Sequence, residues 1–271
     1  MHGINCYGEQ ALPQSKGIKN VQIVILTAIG VGGATVFGAA IGFLLGRVAE
    51  RFCDAVLGFA GGVMLAAAFV GLVLPSIERG GEFAMPICAL GVFTGAFGIA
   101  LLDKFTERIE GLAGNKEREA PSSLKMRKVM LFVFAIAIHN LPEGIAAGVG
   151  FGIGEVGSAL LIAGAIALQN IPEGMVIISP MLSIGISKGK TFFYAVLTGV
   201  IEVVGTFVGY FAARISSAML PFLLAFAGGT MLYVVCDEMI PEIRAQKEGH
   251  VSTYALLLGI MLMLILGELL S

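Results

Sequence analysis

The sequence Ala137-Ile-His-Asn-Leu-Pro-Glu-Gly144 recurs thirty residues later as Ala167-Leu-Gln-Asn-Ile-Pro-Glu-Gly174. The two copies lie in consecutive apolar stretches, so two membrane helices that carry them must run antiparallel. A shorter pair, Ala60-Gly-Gly-Val-Met-Leu65 and Ala227-Gly-Gly-Thr-Met-Leu232, lies on two further stretches that also run in opposite directions. Matching motifs on oppositely directed helices predict inverted-topology repeats, which meet at a site near the membrane midplane. For the shorter pair, coincidence or simple helix packing remains an alternative explanation.

The composition of this 271-residue chain predicts a lipid environment. The chain is 57% hydrophobic and 13% charged, with a mean hydropathy of +0.92, whereas soluble domains carry about 25% charged residues. The net charge of −2 gives no reason to expect a nucleic-acid partner. The four cysteines show no CxxC spacing, which argues against a disulfide framework or a thiolate zinc site. Cys88 and Cys236 are expected to be buried thiols.

Eight apolar stretches indicate the fold. Most of them reach the roughly 20 residues that a helix needs to cross about 30 Å of hydrocarbon, and they lack the alternating polarity of barrel strands. The prediction is an all-α integral membrane protein with eight transmembrane helices, in which spans 1–3 and 6–8 are inverted repeats around the 4/5 pair. The predicted spans are Val21–Gly46, Ala55–Ile77, Ala84–Leu102, Val129–Gly154, Val156–Ile186, Thr191–Ala213, Ile215–Cys236 and Val251–Gly267.

The placement of basic residues predicts the orientation. Thirteen of the 17 Lys and Arg residues fall on one side of the predicted spans, and an excess of such residues marks the cytoplasmic side. The protein is therefore expected in a cell membrane, with both termini, including residues 1–20, outside the cytoplasm. The hydrophilic loop 103–128 is expected in the cytoplasm, where it links spans 1–3 (21–102) to spans 4–8 (129–271) within one membrane domain.

Ionisable side chains deep within the predicted spans carry the functional argument. They are His139, Glu143, Glu173 and Glu202, and none of the eight spans contains a Lys or Arg. A charge at the bilayer centre costs about 2.5–3.5 kcal/mol even on the mild insertion scale. The neutralising charge must therefore come from protons or from a bound cation.

Helical spacing arranges amide and imidazole groups around each glutamate. His139, Asn140 and Glu143 occupy positions i, i+1 and i+4, so the carboxylate falls between the directions of the other two side chains. A carboxylate in that position could bridge two metal ions. The second copy repeats this arrangement with Gln169, Asn170 and Glu173.

The ligand types favour borderline divalent ions. Imidazole with carboxylate and amide groups suits zinc, iron, manganese or cadmium rather than copper(I), which prefers thiolates. Met64 is either a thioether ligand or a packing residue. Glu78, Asp237 and Glu238 lie near span ends and are either carboxylates on the path of the ion or ordinary solvated helix ends.

We interpret these residues as the mid-membrane site of a carrier for divalent metal ions. Two other classes of function compete with this interpretation. An intramembrane metalloenzyme would be expected to show an HExxH signature, and His2, His139 and His250 do not form one. A proton-conducting protein would neutralise the glutamates with protons, and the sequence leaves this alternative open.

The sequences His139-Asn-Leu-Pro-Glu-Gly144 and Gln169-Asn-Ile-Pro-Glu-Gly174, together with Glu202, resemble spans four, five and six of the ZIP (Zrt-, Irt-like protein) metal transporters. Gln169, in place of a histidine, resembles the GufA-like branch. The resemblance implies eight spans with outward termini and transport of zinc or related divalent ions toward the cytoplasm, commonly by a homodimer.

The resemblance also implies a site for two metal ions. One ion would be held by His139, Glu143, Gln169 and Glu173, with Met64 as a further ligand. The other would be held by Asn140, Glu143, Asn170, Glu173 and Glu202, so that the two shared glutamates bridge the ions.

Overall fold

The computed structural model describes residues 14–45, 50–113, 121–151, 156–245 and 250–270, and all regular elements within these ranges are helical. The helices are α1 (Gln14–Leu45), α2 (Glu50–Ala66), α3 (Leu74–Arg79), α4 (Ala84–Ala113), α5 (Pro121–Gly150), α6 (Val156–Ser183), α7 (Lys188–Ile215), α8 (Leu220–Val234), α9 (Ile240–Ala245) and α10 (Val251–Leu270). A π-helical segment, Ala67–Val73, joins α2 to α3, and a second one, Val235–Met239, joins α8 to α9.

Seven helical stretches of the described residues are long and apolar enough to cross a membrane. They correspond to predicted spans 1–3 and 5–8, and they confirm an all-α integral membrane protein. Large apolar side chains such as Phe93 and Leu258 are exposed on them, as expected for helices that contact lipid. The fourth predicted span falls on α5, a helix of 30 residues; its crossing of the membrane stays a prediction.

Two details differ from the sequence analysis. The predicted loop 103–128 is largely helical, because α4 continues to Ala113 and α5 begins at Pro121; residues 114–120 lie outside the described part. Hydropathy marks where lipid ends rather than where a helix ends, and Pro121 occupies a first helical position, where its missing N–H costs nothing.

Cys88 is buried as expected, but Cys236 is exposed, so the prediction of a buried Cys236 was wrong: a thiol is apolar enough to face lipid.

The packing partners of the helices show the repeat. α5 packs mainly against α7 and α1 mainly against α6, while α4 packs mainly against α8 and α2 mainly against α10. Exchanging α1 with α7, α5 with α6, α2 with α8 and α4 with α10 leaves this set of pairs unchanged. The helices thus form two bundles of packed pairs, the α1, α5, α6, α7 bundle and the α2, α4, α8, α10 bundle. Within each bundle, the exchange turns one packed pair into the other.

One sequence offset relates the repeat partners outside the α5/α6 pair. Gly32 on α1 and Gly199 on α7 pack backbone against backbone, since a methyl group on either would lie 2.3 or 2.4 Å from the other's carbonyl oxygen. These two glycines are 167 positions apart, and so are Ala60 and Ala227, which begin the shorter motif pair. A π-helical segment also follows each of those motifs. The shorter pair therefore belongs to the repeat and does not arise by coincidence.

Candidate metal centre

Glycines bring the two longer motifs close to the neighbouring helices. A methyl group on Gly144 of α5 would lie 2.2 Å from the carbonyl oxygen of Glu202 on α7, and one on Gly174 of α6 would lie 2.0 Å from that of Thr35 on α1. Because no side chain fits into these contacts, the four helices meet at the depth of the motifs. The two contacts are repeat partners of each other.

The polar side chains predicted from the sequence gather where these helices meet. Asn140, Asn170 and Glu202 are completely buried. His139, Glu143 and Gln169 are also buried, and Glu173 is half-buried. Such burial in an apolar bundle is costly unless each polar group finds a partner.

A cavity of about 140 Å³ reaches one end of this cluster. The predicted residues that line it are Met64, His139, Glu143, Gln169 and Glu173. Water occupies about 30 Å³ per molecule in the liquid, so the cavity has room for an ion with a few waters. The structure thus brings together the side chains predicted for one metal ion.

The cavity extends toward one face of the membrane domain. Its apolar wall includes Leu57, which precedes Met64 on α2, Ile136, which precedes the motif of α5, and Val176, which follows the motif of α6. All three positions lie on the side where α2 and α5 begin and where α6 ends. On the opposite side α8 packs against the segment Ala67–Val73 and α3, and the buried hydroxyl of Ser76 donates to the carbonyl oxygen of Pro221 at 2.7 Å.

Hydrogen bonds hold the carboxylates at the cavity end. Gln169 donates a side-chain hydrogen bond to Glu143, and His139 lies close enough to Glu143 for a direct electrostatic interaction. With its nitrogen turned toward the carboxylate, the Asn140 amide donates to Glu173 Oε1 at 2.7 Å and to the carbonyl oxygen of Ile136 at 2.8 Å. One amide thus restrains each of the two glutamates of the motifs.

The third carboxylate lies behind the cavity. Asn170 Nδ2 donates to Glu202 Oε1 at 2.5 Å and to the carbonyl oxygen of Val31 at 3.3 Å. Thr35 Oγ1 donates to Glu202 Oε2 at 3.3 Å. Glu202 also interacts electrostatically with Glu143, so the two ends of the cluster are electrostatically connected.

Three buried oxygen atoms of this cluster accept no hydrogen bond from any described residue: Glu143 Oε2, Gln169 Oε1 and Asn170 Oδ1. A buried polar atom without a partner costs about 1–3 kcal/mol. Because all three atoms are acceptors, a cation or a hydrogen-bond donor satisfies them, and of these two a cation also balances the charge of the buried carboxylates. Within the described residues no three His, Cys, Asp or Glu side chains are grouped closely enough to hold a metal ion by themselves, so amide oxygens must take part in any such site.

The remaining predicted residues lie apart from this cluster. Glu78 is exposed on α3, and Asp237 is exposed on the segment Val235–Met239. Glu238 belongs to the same segment, but its side chain lies outside the described part. Their place on the path of an ion stays a prediction.

Two residues of the centre were not predicted. Met239 lines the cavity beside Met64, whereas Met231, the repeat partner of Met64, is buried in the apolar core. Thr35 contacts Glu202, from which it is separated by the offset of 167 positions. The repeat offset could have pointed to Thr35, but nothing in the periodicity of the sequence points to Met239.

Fold and centre together define a class: an all-α membrane protein with an inverted repeat that surrounds buried carboxylate, amide and imidazole groups. The chain belongs to the ZIP zinc transporter family, whose pattern matches residues 108–267, and it is accordingly a transporter of divalent metal ions. It is 32% identical to zinc transporter ZIP11 of Xenopus tropicalis, over 86% of this chain and 92% of that protein. It is 37% identical to zinc transporter GufA of Myxococcus xanthus, over 72% of this chain and 78% of that protein. Zinc transporter ZIPB of Bordetella bronchiseptica is 34% identical over 86% of this chain and 76% of its own length.

Proposed function

We propose that this protein carries zinc, and with it cadmium, iron or manganese, across a cell membrane toward the cytoplasm. The observation that carries the proposal is the set of three buried acceptor oxygens, on Glu143, Gln169 and Asn170, that no described residue satisfies. A divalent cation supplies the charge that the buried carboxylates lack and binds these oxygens in the same step. The names of the similar proteins, all zinc transporters, support zinc as the cargo.

The centre holds two ions in this proposal. The first ion binds at the cavity end, where its ligands are His139, Glu143, Gln169 and Glu173, with Met64 as a soft ligand. The second ion binds at the buried end, where its ligands are Asn140, Glu143, Asn170, Glu173 and Glu202. The two shared glutamates bridge the ions, because each motif places its carboxylate between two ligand directions.

The cavity fits a state that is open to the cytoplasm. The side toward which it extends is where α2 and α5 begin and where α6 ends, and by the distribution of basic residues it faces the cytoplasm. Transport then requires the α1, α5, α6, α7 bundle to move against the α2, α4, α8, α10 bundle so that the centre opens to the other side. In this proposal Glu78 receives ions on that other side, and Asp237 and Glu238 release them on the cytoplasmic side. The working unit of the proposal is a homodimer.

The proposal is tested by uptake into liposomes. Wild-type protein is expected to take up zinc or cadmium. Glu143→Ala and Glu173→Ala are each expected to reduce the rate by at least about 100-fold, because the upper end of losses is already about 100-fold for groups that only support a metal ligand. Glu82→Ala is the matched control, because Glu82 is an exposed carboxylate between α3 and α4. Wild-type rates in both cavity variants would refute the proposed site.

A competition series with and without a pH gradient separates metal from proton transport. Zinc, cadmium, iron and manganese are each added against a fixed trace of labelled zinc. A protein that conducts protons alone would acidify the liposomes without metal and would show no competition between the ions. Competition with uptake of the labelled ion supports the metal transporter.

A further inference from the structure

Thr35 occupies a position that the repeat makes informative. It is completely buried on α1, and its hydroxyl donates to Glu202 Oε2 at 3.3 Å across the offset of 167 positions. That offset is the one that relates Gly32 to Gly199, so Thr35 and Glu202 are repeat partners. The repeat therefore contains a carboxylate on one side and a hydrogen-bond donor to that same carboxylate on the other.

Glu202 in turn fixes the orientation of an amide. Asn170 uses its nitrogen for two hydrogen bonds, to Glu202 Oε1 at 2.5 Å and to the carbonyl oxygen of Val31 at 3.3 Å. Both acceptors lie on helices other than α6, so the amide cannot rotate without losing both bonds. Its oxygen, Oδ1, is left buried, and no described residue donates to it.

These contacts form a relay from α1 to the second metal position. Thr35 holds one oxygen of Glu202, the other oxygen of Glu202 holds the nitrogen of Asn170, and the oxygen of Asn170 is thereby presented as a free ligand. We propose that Thr35 is a positioning residue for the second metal ion, which it orders through Glu202 and Asn170 without touching the ion. This inference rests on the proposed function, since it assumes that two ions bind.

The two metal positions of the centre depend on Thr35 to different degrees. The first position opens onto the cavity, and Thr35 does not line that cavity. The second position includes Asn140, Asn170 and Glu202, which are completely buried, and Asn170 and Glu202 hold each other by a hydrogen bond. Removal of the Thr35 hydroxyl should therefore lower the affinity for the second ion and leave the affinity for the first unchanged. A general loss of packing would lower both affinities.

The experiment measures cadmium binding to protein in lipid nanodiscs, with the number of bound ions and both affinities read from a titration. In Thr35→Val, which keeps the shape and removes the hydroxyl, the first affinity is expected to equal that of wild type and the second to fall by about tenfold, the lower end of outer-shell effects on metal affinity. Thr35→Ser restores the hydroxyl and should restore the second affinity. Thr198→Val is the control, because Thr198 is a buried threonine of α7 that donates to the Ala195 carbonyl oxygen of its own helix.

The outcomes separate the inference from the function on which it rests. Two ions bound by Thr35→Val with both wild-type affinities would overturn the role of Thr35 and leave the proposed function intact. A wild-type protein that binds a single ion would remove the second position and the inference with it, and one that binds no ion would refute the proposed function itself. If Thr35→Val does not fold, Thr35→Ala removes the same hydroxyl in a smaller side chain and carries the same expectation.

Discussion

The two ends of the polar cluster differ in how they are organised. At the cavity end the side chains of the two repeat copies differ, His139 against Gln169, and both line the cavity. At the buried end the copies agree, Asn140 against Asn170, and neither Asn170 nor Glu202 lines the cavity. The comparison teaches that access and order are divided: one end opens onto the cavity, and at the other end hydrogen bonds hold the side chains that we propose as ligands.

The most severe test removes both glutamates that the two ends share. Wild-type protein should gain about 4 kcal/mol of stability when the metal concentration is 1,000 times its Kd, and the double variant Glu143→Ala/Glu173→Ala should gain none. The measurement is the shift in Tm in detergent on addition of zinc or cadmium. An undiminished shift in the double variant would mean that metal binds elsewhere.

The glycine contacts test whether the two ends depend on the same packing. Gly144→Ala and Gly174→Ala should each lower the free energy of unfolding by about 1–3 kcal/mol, the usual cost of overpacking, because the new methyl groups would meet backbone oxygens of α7 and α1. Gly164→Ala on α6 is the control, since a methyl group there meets no described atom within 4 Å. The check is thermal unfolding without metal, and equal stability in all three variants would contradict the close packing.

A third test adds charge to the buried end. Asn170→Asp removes the donor to Glu202 and places a second carboxylate beside it, so the metal-free protein should lose stability while the second ion binds about tenfold more tightly, or about 1.4 kcal/mol. The measurements are cadmium titration and the ion selectivity of uptake. Asn140→Asp is the matched variant in the other repeat copy. An unchanged ion profile in Asn170→Asp would argue against its amide as a ligand.

The smallest effect is expected where the two copies already differ. His139→Gln makes the polar residues of the first motif match those of the second and replaces an imidazole nitrogen by an amide oxygen at the cavity end. Oxygen ligands suit manganese better than imidazole does, so manganese should compete with zinc for uptake more strongly, by a few-fold at most. The opposite change, Gln169→His, should favour zinc. Competition ratios that do not move in either variant would remove these two residues from the determinants of selectivity.

Much of the fold could be predicted from the sequence because lipid imposes simple rules. A helix must be apolar over a fixed length, and seven of the eight predicted spans correspond to such helices in the described residues. The ends of the helices were less accessible to prediction. α4 continues past Leu102 to Ala113, because a helix can extend into water, where hydropathy no longer records it.

The residues of the polar cluster could be predicted from the sequence, but the hydrogen bonds between them could not. His139, Glu143 and their repeat partners were recognisable because a carboxylate in an apolar helix has a large cost. The hydrogen bond between Thr35 and Glu202 was not recognisable from residue type, because a threonine in a membrane helix has many ordinary uses; only the repeat offset could have pointed to it. The position of Met239 depends on a π-helical segment, and a period of 3.6 residues cannot anticipate such a segment.

The π-helical segments have a consequence for anyone who projects these helices onto a wheel. A helix that carries one extra residue in a widened turn turns every later side chain back by about 100° relative to an uninterrupted α-helix. Glu78 lies beyond the segment Ala67–Val73, and Asp237 lies within the segment Val235–Met239. Face assignments carried forward from Met64 or Met231 therefore point these acidic side chains in the wrong direction. A scan of substitutions along these two helices should be interpreted from each side of the widened turn separately.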